Sequence, residues 1–209
     1  MIKAVLFDFD GVIVQSEELH KQTFLEVLLP NKIDVEDRWY HNFAGTGSGK
    51  IFQALLKEYH IKGDVKELVE KRRDLFMAKI KKGITETPGL KPFLAFLREK
   101  NIKTAIVSGG HSSYIKKLNH MLGISFDFIV SADEIKERKP DPAPFLIAAK
   151  ALNVSPENCL VIEDSYSGCE AARRANMKLV WVRPHESMNA PDCDLVVDDF
   201  KDKKILDFF

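Results

Sequence analysis

Hydrophobic and polar residues follow different patterns in different parts of this chain. Ala4–Phe7 is a short apolar run, which is typical of a strand buried on both faces of a parallel sheet. From Leu19 to Pro30 the apolar residues recur at helical spacing, and further helical stretches continue to about residue 82. From Pro88 onward, segments with helical and extended patterns alternate. This alternation predicts a doubly wound parallel sheet, and therefore an α/β fold.

The same patterns divide the alternating part into elements. Helices are predicted at residues 90–100, 112–122, 144–152 and 168–175. Strands are predicted at residues 104–107, 128–130, 159–162, 179–182 and 195–197. We expect a Rossmann-like core domain formed by residues 1–13 and 85–209, with a helical cap domain, residues 14–84, inserted after the first strand. The cap would form a lid over the end of that strand.

Composition and charge exclude several classes of protein. The 209 residues are 45% hydrophobic and 30% charged, as in ordinary globular proteins. Because 31 basic residues balance 31 acidic ones, neither nucleic acid nor an anionic membrane is expected as a partner. No apolar stretch reaches the roughly 18 residues that crossing a bilayer requires, and the N-terminus lacks a signal-peptide pattern. We therefore expect a cytoplasmic location.

Cysteine usage gives no sign of a disulfide framework. Cys159, Cys169 and Cys193 are odd in number and have no Cys-x-x-Cys spacing, so a zinc site is not indicated either. We expect Cys159 and Cys169 to pack as small apolar residues.

Two carboxylates, Asp8 and Asp10, follow the first predicted strand, and Gly11 permits a sharp turn there. Both would lie at the carboxyl edge of the sheet, where open parallel sheets bind ligands. Carboxylates this close repel each other unless a cation or a shared proton intervenes, and Mg²⁺ would relieve the repulsion. Asp8 can act as a nucleophile towards phosphorus, and Asp10 as a general acid and base. A solvated turn is the alternative for an isolated Asp-x-Asp.

Later strand ends carry the other groups that phosphoryl transfer needs. Ser108 can donate its hydroxyl to a phosphate oxygen, and Gly109, the first of two glycines, allows backbone amides to approach closely. Lys139 precedes Pro140 and Pro142, which stiffen the loop and hold the cation in a fixed direction, so it can offset phosphoryl charge; a solvated lysine is the alternative. Glu163 and Asp164 form a second acidic pair, and their hard oxygen atoms suit octahedral magnesium.

Taken in order, these segments resemble the four motifs of the haloacid dehalogenase superfamily over the whole chain. The matching segments are residues 8–12, Ser108, residues 139–140 and residues 163–165. Further segments are similar to the branch that contains β-phosphoglucomutase and small sugar-phosphate phosphatases, whose members carry a helical cap at this place. They are residues 87–90, residues 139–146 and Gly168.

The resemblance implies a role for each matching residue. Asp8 would be the nucleophile and Asp10 the acid and base, with Ser108 and Lys139 binding the phosphoryl group. The implied magnesium ligands are Asp8, the Asp10 backbone carbonyl, Glu163 and Asp164. Because a second carboxylate at position 10 favours a leaving alcohol that must be protonated, a phosphate ester is the expected substrate.

The predicted cap contains the glycine-rich segment 44–50, which superficially fits a nucleotide-binding loop. Ile51 rather than Ser or Thr follows Lys50, and no clear strand precedes the segment, so ATP binding is rejected. In the family the equivalent loop contacts substrate, which gives four candidate specificity residues: Gly45, Thr46, Ser48 and Lys50.

His20 and Arg72 are further candidates by resemblance. A helix-surface histidine and a solvated basic face are the alternatives for these two.

The sequence thus predicts a magnesium-dependent phosphatase that hydrolyses a small phosphorylated metabolite, with a sugar phosphate favoured, through an aspartyl phosphate. The alternative is a phosphosugar mutase of the β-phosphoglucomutase type. The mutase's cap-loop arginine corresponds to Ser48, which weakens this alternative, although Lys50 could supply the charge. A catalytically silent binding protein is disfavoured because every chemical position is filled. We expect a monomer, and pyrophosphate is left open as a substrate.

Overall fold

The computed structural model describes residues 1–28, 47–80, 83–183 and 189–209. The chain divides into an α/β unit, Met1–Gln15 with Glu86–Phe209, and a helical unit, Ser16–Thr85. The predicted boundaries, after residues 13 and 84, fall two residues and one residue before these divisions. Val14 pairs antiparallel with Glu86, so the chain leaves and re-enters the α/β unit at adjacent backbone positions.

The bounds of the elements are close to the predicted ones. The strands are β1 Ala4–Phe7, β2 Lys103–Val107, β3 Phe128–Val130, β4 Cys159–Glu163, β5 Lys178–Val182 and β6 Leu195–Val197. Within the described ranges, the α-helices are α1 Glu17–Leu28, α2 Ser48–Glu58, α3 Val65–Ile80, α4 Leu90–Glu99, α5 Ser112–Leu122, α6 Ala143–Ala151 and α7 Tyr166–Arg174. The same ranges contain two short 3₁₀ helices, Pro156–Asn158 and Lys203–Phe208.

In the described part of the chain, six parallel strands form one sheet in the order β3-β2-β1-β4-β5-β6. The chain builds one half of the sheet outward from β1 to β3 and then returns to build the other half from β4. The order therefore reverses between β1 and β4, which is the position where open α/β sheets bind ligands at the carboxyl edge. The predicted doubly wound α/β fold is confirmed.

The central strand β1 is buried on both faces, as its apolar run predicts. Leu6 lies in an apolar cluster that also includes Phe145 and Trp181. On the opposite face, the Phe7 ring packs edge-on against Phe93, with ring centroids 6.2 Å apart. Burial of such large side chains is the main favourable contribution to the stability of the sheet.

The helical unit has an apolar cluster of its own, formed by Phe24, Leu28, Ile51, Phe52 and Leu55. The rings of Phe24 and Phe52 are 5.0 Å apart, which joins α1 to α2. Among the described residues of this unit there is no strand, as predicted. None of the helices in the described ranges has the length and apolar character needed to cross a bilayer.

We predict that Cys159 and Cys169 resist alkylation in the folded protein. Both lie in the apolar core. Burial raises the pKa of the Cys159 thiol to about 11, so its thiolate is scarce at pH 8. Iodoacetamide at pH 8, followed by peptide mass spectrometry, should therefore modify both residues only after unfolding in urea. The half-exposed Cys193 serves as the internal comparison, and equal labelling of Cys159 in the folded and unfolded protein would contradict the prediction.

Candidate active site

The carboxyl ends of three neighbouring strands bring the predicted catalytic residues of the α/β unit to one edge of the sheet. In the register between β1 and β4, Phe7 lies opposite Ile162, so Asp8 and Glu163 follow at the same level. The amide of Asp8 donates to the Ile162 carbonyl at 2.9 Å, which continues the ladder by one residue. Ser108 directly follows β2, on the other side of β1.

Lys139 links the acidic residues of this edge. Its ammonium contacts the Asp8 carboxylate, donates to Glu163 Oε1 at 2.6 Å and donates to the Val107 carbonyl at 2.9 Å. The side chain of Lys139 is only 10% exposed and that of Asp8 only 14%. Lys139 is therefore a buried cation held by three oxygen atoms, and the alternative of a solvated lysine is wrong.

Burial and charge shift the ionisation of this pair. Burial raises the pKa of Asp8 to about 7; Lys139 opposes this shift, and the Glu163 and Asp10 carboxylates add to it. Burial on its own would lower the pKa of Lys139, but the Asp8 and Glu163 carboxylates outweigh it and raise that pKa overall. Lys139 thus stays charged, while the crowded acidic groups favour a cation nearby.

Glu163 is completely buried, and protein donors engage both of its oxygen atoms. Oε1 accepts from Lys139, and Oε2 accepts from the amides of Asp164 and Ser165 and from the Ser165 hydroxyl, each at 2.9 Å. An added Cβ at Gly168 would overlap the Glu163 carboxylate. Glu163 is therefore fixed by its surroundings, and only a glycine at position 168 leaves room for it.

The predicted magnesium ligands are only partly arranged as ligands. Within the described ranges, no group of three or more His, Cys, Asp or Glu side chains is placed to hold a metal ion. Because Lys139 and the backbone amides engage Glu163, its predicted role as a direct ligand does not fit this arrangement. Asp8 and Asp164, which is 6% exposed, remain hard oxygen donors at the sheet edge.

Asp10 lies in a tight turn that follows β1. The amides of Ile13 and Val14 both donate to the Phe9 carbonyl, at 2.9 and 3.1 Å, and Gly11 takes a φ of 83°, which favours glycine. The Asp10 carboxylate accepts a hydrogen bond of 2.7 Å from the Tyr114 hydroxyl. Tyr114 is a site residue that the sequence analysis missed.

The predicted phosphate-binding residues Ser108 and Gly109 follow β2. Ser108 is buried, and its Oγ accepts from the Gly110 amide at 3.0 Å, while Gly109 is exposed. The Gly110 amide therefore fixes the Ser108 hydroxyl oxygen, and the hydroxyl keeps its proton to donate.

Comparison with known proteins identifies the family. The model of the haloacid dehalogenase-like hydrolases matches residues 5–182. The chain belongs to this family. The predicted superfamily is thereby confirmed, and with it the assignment of the protein as a hydrolase.

Individual relatives of this hydrolase include both a phosphatase and a mutase. The phosphorylated carbohydrates phosphatase of Thermotoga maritima is 30% identical over 186 residues, which cover 86% of this chain and 84% of the relative. The β-phosphoglucomutase of Bacillus subtilis is 30% identical over 204 residues, which cover 91% and 88%. Among solved structures, β-phosphoglucomutase from Clostridium difficile has a TM-score of 0.85 and 30% identity, covering 100% of this chain and 97% of its own.

In the helical unit of the hydrolase, three of the predicted substrate residues meet. Arg72 Nη1 donates to Ser48 Oγ at 2.8 Å, and Nη2 contacts His20 Nδ1. The guanidinium lies 4.0 Å from the centre of the Phe24 ring, and the His20 ring stacks on Phe76 at 4.2 Å. Because a guanidinium can only donate, this contact is a hydrogen bond when His20 Nδ1 carries no proton.

The interpretation of Arg72 as part of a solvated basic face is wrong. Arg72 is 8% exposed, whereas the side chains of its neighbours Lys71 and Arg73 are 62% and 64% exposed. An arginine can be buried in this way because its planar group stacks on aromatic rings, and here Nη1 and Nη2 have the polar partners Ser48 and His20. Lys50 is exposed in the first turn of α2, and Gly45 and Thr46 lie outside the described residues.

We predict that Gly168→Ala lowers the rate of aryl phosphate hydrolysis strongly, by about 10²-fold. The new methyl group displaces the Glu163 carboxylate, and Lys139 loses its fixed position beside Asp8. The helix itself should not be weakened, since alanine is favoured over glycine in helices by about 1 kcal/mol. Steady-state kinetics and thermal unfolding measure the two effects separately.

Glu170→Ala, at a partly exposed position of the same helix, is the control and should keep full activity. Unchanged hydrolysis by the Gly168→Ala variant would show that the fixed Glu163 carboxylate is not needed.

Proposed function

We propose that this hydrolase is a magnesium-dependent phosphoric monoester hydrolase that acts on a small phosphorylated metabolite, with a sugar phosphate as the favoured substrate. The observation that carries the proposal is the buried Lys139 ammonium in contact with the Asp8 carboxylate. A nucleophilic carboxylate beside a fixed cation is what attack on an anionic phosphoryl group requires. The similarity to the phosphorylated carbohydrates phosphatase of Thermotoga maritima supports the class of substrate.

In the proposed first step, an Asp8 oxygen attacks phosphorus and forms an O–P bond, while the bond from phosphorus to the ester oxygen breaks. The electron pair of that bond leaves with the ester oxygen, which takes a proton from Asp10. In the second step, water attacks phosphorus and gives a proton to Asp10. The Asp8–phosphorus bond then breaks, and its electron pair returns to the carboxylate. The products are an alcohol and inorganic phosphate.

Two residues bind the phosphoryl oxygen atoms in this proposal. Lys139 is already oriented by Glu163 and Val107, so little ordering is needed when the substrate arrives. Ser108 offers its hydroxyl proton, with its oxygen fixed by the Gly110 amide. Ser108 follows the end of a strand, and Lys139 lies against the end of the same strand. This placement suits a site that must not move during the reaction.

We propose that Asp8, Asp164 and the backbone carbonyl of Asp10 hold magnesium, and that Glu163 instead anchors Lys139. The support is chemical: these are hard oxygen donors, and burial, with a further contribution from the Glu163 and Asp10 carboxylates, raises the pKa of Asp8 even with Lys139 present. When bound, magnesium supplies charge stabilisation for the phosphoryl oxygen atoms.

A phosphosugar mutase is the second candidate because of one observation in the helical unit. The Arg72 guanidinium donates to Ser48, the residue that corresponds to the mutase's cap-loop arginine. A buried cation is therefore available there from a different helix, and the relative from Bacillus subtilis is a β-phosphoglucomutase. Substrate contacts by His20, Ser48, Lys50 and Arg72 stay predictions, as do action as a monomer and a cytoplasmic location.

A panel of sugar phosphates separates the two candidates. The purified protein is incubated with each compound, including β-glucose 1-phosphate with a bisphosphate primer, in magnesium or in excess EDTA. Released phosphate and the sugar isomer are followed together. The proposal predicts magnesium-dependent phosphate release, whereas primer-dependent isomer conversion without release would establish the mutase.

We predict that Asp8→Asn lowers phosphate release by on the order of 10³-fold or more, because the amide keeps the shape of the side chain but cannot form the acyl phosphate. Phosphate release at saturating magnesium measures the effect. Asp133→Asn is the control, since Asp133 is a half-exposed acid that contacts His111 and Ser112. Full activity in the Asp8 variant would rule out covalent catalysis by this residue.

A further inference from the structure

Tyr114 forms a hydrogen bond with the proposed acid and base of the reaction. Its hydroxyl donates to Asp10 Oδ1 at 2.7 Å, which joins residues 104 positions apart in the sequence. Tyr114 is the third residue of α5, the helix that follows Ser108 and its two glycines. The segment that follows β2 therefore carries both the proposed phosphate-binding serine and a phenol that reaches Asp10.

The ring of Tyr114 is fixed by its neighbours. It packs edge-on against Phe9, with the ring centroids 5.6 Å apart and the planes at 83°. On another side the ring lies against Gly110, where an added Cβ would come within 3.1 Å of Tyr114 Cδ1. Phe9, which lies between Asp8 and Asp10 in the sequence, is fully buried. The contacts with Phe9 and Gly110 thus set the direction of the phenol hydroxyl. One of these two residues, Phe9, directly precedes Asp10 in the chain.

A hydrogen bond to one carboxylate oxygen restricts rotation of the whole carboxyl group about its Cβ–Cγ bond. An aspartate in a turn otherwise has two side-chain torsion angles to be ordered before it can transfer a proton in one direction. The Tyr114 hydroxyl orders both in advance. Tyr114 and Asp10 both belong to the α/β unit, so this hydrogen bond forms within one unit.

We propose that Tyr114 is a positioning residue that holds the Asp10 carboxyl group in one orientation for proton transfer to the leaving alcohol oxygen. This inference rests on the proposed function, because it concerns Asp10 as the acid and base. It adds a residue from outside the four motifs to the apparatus for proton transfer.

Tyr114→Phe tests the inference, because it keeps the ring contacts with Phe9 and Gly110 and removes only the hydroxyl. Two substrates are compared: p-nitrophenyl phosphate, whose aryloxide leaves without protonation, and the sugar phosphate that is hydrolysed fastest in the panel. The measured quantity is kcat/KM, which includes only the steps up to phosphorylation of Asp8. We expect about a 10-fold loss for the sugar phosphate and less than about a 2-fold change for the aryl ester.

Two reference variants make the comparison specific. Asp10→Ala should lower kcat/KM for the sugar phosphate by a larger factor than Tyr114→Phe does, and it should again affect the aryl ester much less. Adding Tyr114→Phe to Asp10→Ala should not lower the sugar phosphate value further relative to the aryl ester. Tyr166→Phe removes a hydroxyl that also makes a 2.7 Å bond, to the Asn189 carbonyl, and should not distinguish the two substrates. Thermal unfolding of each variant shows that it is folded.

The outcomes separate the inference from the function on which it rests. An equal loss for both substrates in Tyr114→Phe, or a full additional loss in the Asp10→Ala background, would overturn the positioning role while the Asp10 variant still supports the proposed function. If Asp10→Ala itself fails to distinguish the substrates, proton donation by Asp10 is wrong and the role of Tyr114 is lost with it.

Discussion

The contact of the Lys139 ammonium with Asp8 and Glu163 is the interaction on which the candidate site depends. A buried cation and two buried carboxylates are each costly alone, and they are tolerated because they compensate one another. The register of β1 and β4 sets the spacing of the two acids, and Gly168 leaves room for Glu163. The packing of sheet and helix therefore serves to keep one charged arrangement fixed at the edge.

Much of this architecture could be predicted from local patterns. The apolar run Ala4–Phe7 indicates a strand buried on both faces, and the structure confirms it. Because strands of a parallel sheet end at one edge, polar residues after each strand can be placed together without knowing their contacts. Asp8, Ser108 and Glu163 follow or end strands in this way. Their shared position depends only on element type and chain order.

The contacts that the sequence did not reveal are tertiary. In the sequence Tyr114 is an ordinary residue in the first turn of a helix, and its packing against Phe9 and its hydrogen bond to Asp10 arise only in the folded chain. Arg72 belongs to a run of three basic residues, and sequence gives no sign that this one turns onto Phe24. The hydrogen bonds that engage both oxygen atoms of Glu163 depend on side-chain geometry, which the motif alone does not specify.

The central claim is that Asp8 is the residue that becomes phosphorylated, and trapping the intermediate tests it directly. In Asp10→Ala, p-nitrophenyl phosphate should still phosphorylate Asp8 because its leaving group needs no proton, but water attack is slow without the base. After an acid quench, intact-mass and peptide analysis should find one phosphoryl group on Asp8. Fast release of p-nitrophenol without any phosphorylated protein, or a phosphoryl group on another residue, would contradict the account.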